Sequence, residues 1–127
     1  MRILTDEFVE YYKGRLINIH PSLLPSFIGL NTHRRAIEMG VRVHGATVHF
    51  VTQELDSGPI IAQALVPVLP DDTQSTLAAR VLEQEHILYP RVIRWFIKGE
   101  VRLEDNQVVL SEGINKHSEY LLAGGFE

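Results

Sequence analysis

The sequence predicts an α/β fold built as one domain, and three observations carry that reading. Short runs of β-branched and aliphatic residues at 15–20, 45–53 and 60–68 have strand character, while other stretches repeat apolar residues at helical spacing. Gly, Pro, Asn and Asp gather where one kind of segment gives way to the next. A length of 127 residues suits a single core rather than two.

Taken in order, Thr5 with Asp6 and Glu7 forms a helix start, a capping hydroxyl followed by two acids that favour the positive end of the helix dipole. Gly14 stops that helix, so it should cover roughly 6–13. Arg15-Leu16-Ile17-Asn18-Ile19-His20 reads as a short buried strand. Residues 21–30 hold Pro21, Pro25 and Gly29, which neither a helix nor a central strand tolerates, so a shaped loop follows. Asn31 or Thr32 caps a helix running to Met39 and ended by Gly40. Residues 45–53 and 60–68 form a strand pair joined by the turn Glu54-Leu55-Asp56-Ser57-Gly58-Pro59. Asp71, Asp72 or Thr73 opens a long helix with Leu77, Val81, Leu88, Val92, Ile93 and Phe96 on its apolar side. Pro90 lies inside it, and a kink or restart is expected there. A small hairpin turning at Asp105-Asn106 closes the domain at about residue 110, and 111–127 reads as an irregular tail.

Composition narrows the function. With 12 basic against 16 acidic side chains the formal charge is −4, which attracts neither nucleic acid nor an anionic membrane surface. The absence of cysteine removes disulfides, zinc–thiolate sites and thiol catalysis, and it fits a cytoplasmic setting. No apolar run is long enough to span a bilayer, and the start does not read as a signal peptide. His33, His44, His49 and His86 invite a metal reading, but no closely spaced His/Asp/Glu set completes a site, so no metal is expected. Neither common glycine-rich phosphate loop is present.

Three residues draw attention as candidates for chemistry. Asn18 and His20 are two apart in a strand, so they leave the same face about 7 Å from one another, at the carboxyl end where open sheets build ligand crevices. By themselves they also suit a buried amide and a packed imidazole. What tips the balance is the loop behind them: Pro21 and Pro25 stiffen the backbone, and preorganised polar groups are what electrostatic catalysis requires. Asp56 sits in a turn able to return a carboxylate to the first strand. The ordinary task of a turn Asp is to bond its own backbone, but beside His20 it would orient the imidazole and favour its charged form.

The run Asn18-Ile19-His20-Pro21-Ser22-Leu23-Leu24-Pro25 with Gly29, paired with Leu55-Asp56-Ser57-Gly58-Pro59-Ile60-Ile61, resembles the signature of the folate-dependent formyltransferase family. Asn31-Thr32-His33-Arg34, the segment from His44 to Phe50, and Gln84-Glu85-His86 through Tyr89-Pro90 resemble its branch acting on glycinamide ribonucleotide. The likeness runs from Met1 to about Leu110. It implies the C-terminal half of a Rossmann-like fold, a mixed sheet flanked by helices, transferring formyl from 10-formyltetrahydrofolate to the glycinamide amine in purine synthesis. Asn18 would bond the formyl oxygen as it becomes an oxyanion, His20 would be the general acid, and Asp56 would favour the protonated imidazole and hold a relaying water. Met1, Arg2, Ile3 and Leu4 with Thr52, Gln53, Glu54, Leu55, Asp56 and Asn18 would line the folate pocket. Leu82, Glu83, Gln84 and Glu85 would meet the ribonucleotide, Glu85 closest to the amine.

The family's Gly-Asn-Gly-Ser-Asn type loop has no counterpart, and Met1-Arg2-Ile3-Leu4 resembles an internal stretch, so a truncated form with weak activity of its own is expected. Its first strand would then keep an open apolar edge suited to a homodimer or another associating chain. A formyltetrahydrofolate hydrolase and a non-catalytic folate-binding or dimerising remnant remain alternatives. A methionyl-tRNA formyltransferase would need a further domain.

Overall fold

The computed structural model describes residues 4–115. The first helix, α1 (Asp6–Tyr11), is capped by the Thr5 hydroxyl, which accepts from the Phe8 amide at 3.2 Å. It ends two residues before the expected limit, because the chain turns at Tyr12 and Arg15 N–H donates back to the Tyr12 carbonyl. Strand β1 (Ile17–His20) follows, then the proline loop and α2 (Thr32–Met39). Asn31 occupies the cap position in a left-handed conformation without capping through its side chain, and Gly40 closes the helix at φ +78°.

Strands β2 (Val43–Phe50) and β3 (Ile60–Pro67) pair with β1 in the order β1-β2-β3. All of these pairings are antiparallel, and β1 lies at an edge of the described sheet. Strand β2 starts and stops earlier than its sequence pattern suggests, since Phe50 N–H donates to Pro59 and Val51 N–H donates to Leu16, which ties the end of the strand into the Asp56 turn.

Helix α3 (Gln74–Ile97) lies across the sheet and is opened by Thr73, whose hydroxyl and that of Thr76 exchange bonds with each other's backbone amides in a capping box. It runs through Pro90 without the expected restart. Pro90 faces solvent, while Leu88 and Val92 on either side of it are buried in one core, so packing holds both halves of the helix in line. Phe50, Val48, Val66, Leu77, Val81 and Val92 are fully enclosed between helix and sheet, and burying each such side chain contributes about 1.5–3 kcal/mol.

Strands β4 (Val101–Glu104) and β5 (Gln107–Leu110) form the hairpin, with Asp105 and Asn106 both at positive φ in its two-residue turn. The irregular tail expected from 111 is corrected at its start: residues 112–115 form a helical turn, α4 (Glu112–Asn115), that buries Ile114 against the main core. One turn is too short to show a period. The rest of that expected tail lies outside the described residues. Among the described residues no helix is long and apolar enough to cross a membrane.

Candidate active site

The register of the sheet creates a polar face. Asn18 pairs with His49, and His20 with Thr47, which in turn pairs with Gln63. Side chains two apart share a face, so Asn18, His20, Thr47, His49 and Gln63 all leave the sheet on the side away from the apolar row of Ile19, Val48 and Ala62.

His20 is 6 % exposed and engaged at both ring nitrogens. Nε2 lies 2.9 Å from the Phe27 carbonyl, an acceptor, so it carries the proton and donates. Nδ1 faces Asp56 Oδ2 at 3.5 Å, an ion pair once that nitrogen is protonated. Phe27 presents its carbonyl because its φ is +54°, a left-handed conformation rare for a bulky residue. The Arg35 guanidinium holds it there, donating to the Ile28 and Leu30 carbonyls at 2.6 and 3.1 Å with its carbon 5.5 Å from the Phe27 ring centroid. Asp56 also sits at positive φ, and its Oδ2 accepts from Gly29 N–H at 3.0 Å. One carboxylate therefore ties together the imidazole and the proline loop. Gly58 makes the turn possible: a Cβ there would stand 1.7 Å from the Phe50 carbonyl oxygen.

A cavity of about 440 Å³ opens beside this pair, walled by Leu4, Val9, residues 16–18, His49 and residues 51–56. Of the expected folate-lining residues, Leu4, Asn18, Thr52, Gln53, Glu54, Leu55 and Asp56 are on its wall, while Met1, Arg2 and Ile3 lie outside the described residues. Asn18 is exposed, and no partner holds its amide among the described residues. His20 is not on the cavity wall; it stands behind Asp56.

His49, which the sequence offered only among four histidines inviting a metal reading, is a further residue of the site. Its Nδ1 donates to the Phe50 carbonyl at 2.8 Å, which leaves Nε2 as an acceptor, buried and without a partner, on a ring lining the cavity. Its spacing from Thr47 was readable, but its place opposite Asn18 is a matter of register. His33 and His44 form a second pair at 3.2 Å rather than joining any metal-binding cluster among the described residues.

Leu82, Glu83, Gln84 and Glu85 all lie on α3. Leu82 and Glu83 are exposed, whereas Gln84 and Glu85 are half-buried. Burial raises the Glu85 carboxyl above its ordinary range, against the opposing fields of His86 and His20.

An imidazole oriented by a carboxylate, with a free amide on the wall of the adjoining cavity, is an acid–base arrangement for group transfer to or from a carbonyl carbon. The fold around it is of the same kind as that of known formyl-group enzymes. The chain belongs to the formyl transferase family, whose model matches residues 1–93. It is 56 % identical over 106 residues to phosphoribosylglycinamide formyltransferase of Escherichia coli K12, covering 84 % of this chain and 50 % of that one. The phosphoribosylglycinamide formyltransferase structure from Coxiella burnetii superposes with a TM-score of 0.83 at 53 % identity, over 87 % of this chain and 52 % of that one. A formyltetrahydrofolate deformylase from Pseudomonas syringae shares the fold at the same TM-score with 37 % identity, over 88 % of this chain and 38 % of its own. The chain thus spans about half the length of the curated relatives it matches.

Proposed function

We propose that these residues carry formyl transfer from 10-formyltetrahydrofolate to the amine of glycinamide ribonucleotide. The observation that supports it most is the His20–Asp56 pair, 3.5 Å apart beside a cavity that Asn18 also lines. The amine attacks the formyl carbon, and the carbonyl oxygen takes the negative charge. Asn18 donates to that oxygen from the cavity wall, and His20, held behind Asp56, supports the same charge through space rather than by direct contact. As the bond to the folate nitrogen breaks, a water on Asp56 passes the proton from amine to leaving nitrogen, with His49 Nε2 available as a second acceptor. Glu85, half-buried on α3 with its carboxyl raised by burial, receives the amine end of the ribonucleotide.

Because the chain corresponds to half of its relatives, turnover is measured in a complete formyltransferase carrying these residues, following folate absorbance. His20→Ala and Asp56→Asn are each expected to lower kcat about 10²-fold or more, the usual contribution of a positioned acid–base group. Losses below tenfold in both would remove the assigned roles. The deformylase neighbour keeps hydrolysis as a second reading, and formate release without any amine acceptor would favour it.

We further propose that β1, an edge strand among the described residues, is where a second copy of this chain adds a strand. Sedimentation across a concentration series should then show a mass rising above 14.4 kDa; a constant monomer mass contradicts this.

A further inference from the structure

We propose that Gln63 and Thr47 are positioning residues, a clamp two strands deep that sets the proline loop and, through it, the His20 imidazole. The inference rests on the reading of His20 as the acid of the reaction. His20, Thr47 and Gln63 stand in one cross-strand row over β1, β2 and β3, and the loop leaving His20 folds back onto the other two.

Thr47 is fully buried, and its hydroxyl uses its whole bonding capacity on this task. It donates to the Ser22 carbonyl at 2.7 Å and accepts from the Leu24 amide at 3.1 Å and from Gln63 Nε2 at 3.0 Å. The Gln63 amide also reaches the Leu24 carbonyl at 3.1 Å. Both backbone groups of Leu24 and the carbonyl of Ser22 are therefore satisfied by two side chains from other strands. Gly45 lets the loop lie this close, since a Cβ there would stand 3.0 Å from Leu23 Cδ2 and 1.9 Å from the Ala64 carbonyl oxygen.

The clamp transmits to the imidazole by a short route. Ser22 Oγ, itself buried, donates to the Ser26 carbonyl at 2.6 Å, and the next residue, Phe27, supplies the carbonyl that fixes His20 Nε2. Releasing segment 22–24 should thus release Ser26 and Phe27, and the ring would lose the contact that sets its tautomer.

The test uses the whole chain, labelled with ¹⁵N on backbone amides and histidine rings, as wild type, Thr47→Val, Thr47→Ser and Gln63→Leu. In Thr47→Val and Gln63→Leu, the amides of Leu24, Ser26 and Gly29 should exchange about tenfold faster or more, while those of the β2–β3 ladder keep their rates. At a pH where the ring is neutral, the His20 ring signals should move towards a mixture of tautomers. Thr47→Ser, which keeps the hydroxyl, should restore the wild-type pattern. Unmoved His20 signals, a uniform loosening of loop and ladder together, or a serine variant that behaves like the valine one would each overturn the proposal. Should Thr47→Val not fold, Gln63→Leu decides on the same readouts, since it leaves the Thr47 hydroxyl in place. None of these readouts depends on turnover, so their failure leaves the formyl-transfer reading intact, and a fully active His20→Ala enzyme would sink that reading without touching the clamp.

Discussion

At the scale of single residues, the molecule sets histidines to opposite tasks by their surroundings. His20 meets a carboxylate, whereas His44 is enclosed with its Nε2 3.2 Å from Nδ1 of His33 and its ring against Phe27. Burial first, then the neighbouring His33 and His20, push His44 from 6.5 down to about 4. The folded protein therefore rejects a proton that the unfolded chain accepts, and the unfolded state holds more protons between those two values. Stability from the neutral pair is complete above pH 6.5 and declines as pH falls towards 4, by on the order of 1.4 kcal/mol per unit crossed. Thermal melts should show a midpoint level above pH 7 and dropping across that window, with a shallower drop in His44→Gln. Parallel profiles for the two proteins would contradict it.

At the scale of elements, α3 shows how local preference yields to packing. Its start is held twice, by the Thr73 capping box and by Arg80, which grips Asp72 through both nitrogens at 2.7 and 2.9 Å and also donates to the Pro67 carbonyl. That grip holds the Asp72 carboxyl well below the usual range and ties the helix to the end of β3. Anchored at its start and buried on both sides of Pro90, the helix tolerates a residue that lacks an amide hydrogen. Pro90→Ala should restore one backbone bond at an exposed position and stabilise the fold by roughly 1–3 kcal/mol, read from urea unfolding. A neutral or destabilising result would mean the helix is shaped around the proline.

At the scale of the whole molecule, the boundary of the folded unit lies beyond the hairpin. Ile114 is 5 % exposed and packs in the same cluster as Val48, Leu88 and Val101, while Ser111 N–H donates to the Glu100 carbonyl at 2.8 Å. Residues 111–115 therefore close the core. Ile114→Ala should cost about 2–4 kcal/mol in chemical denaturation, as for other buried aliphatic truncations; a cost under about 0.5 kcal/mol, typical of a surface change, would return the segment to the tail.

Periodicity, caps and turn residues were enough to place every element from α1 to β5 within a few residues, because these signals act over neighbours in the chain. The pairing of Asn18 with His20 on one face follows from the two-residue repeat of a strand, and their resemblance to a known signature pointed to Asp56. What the linear order does not hold is register. That Asn18 stands opposite His49, that Thr47 and Gln63 continue the row from His20, and that Phe27 offers its carbonyl to the imidazole are consequences of which strands meet and where. The lone helical turn around Ile114 and the unbroken course of α3 belong with them. Each depends on the burial of apolar surface between segments far apart in sequence, and that energy exists only once the chain has closed on itself.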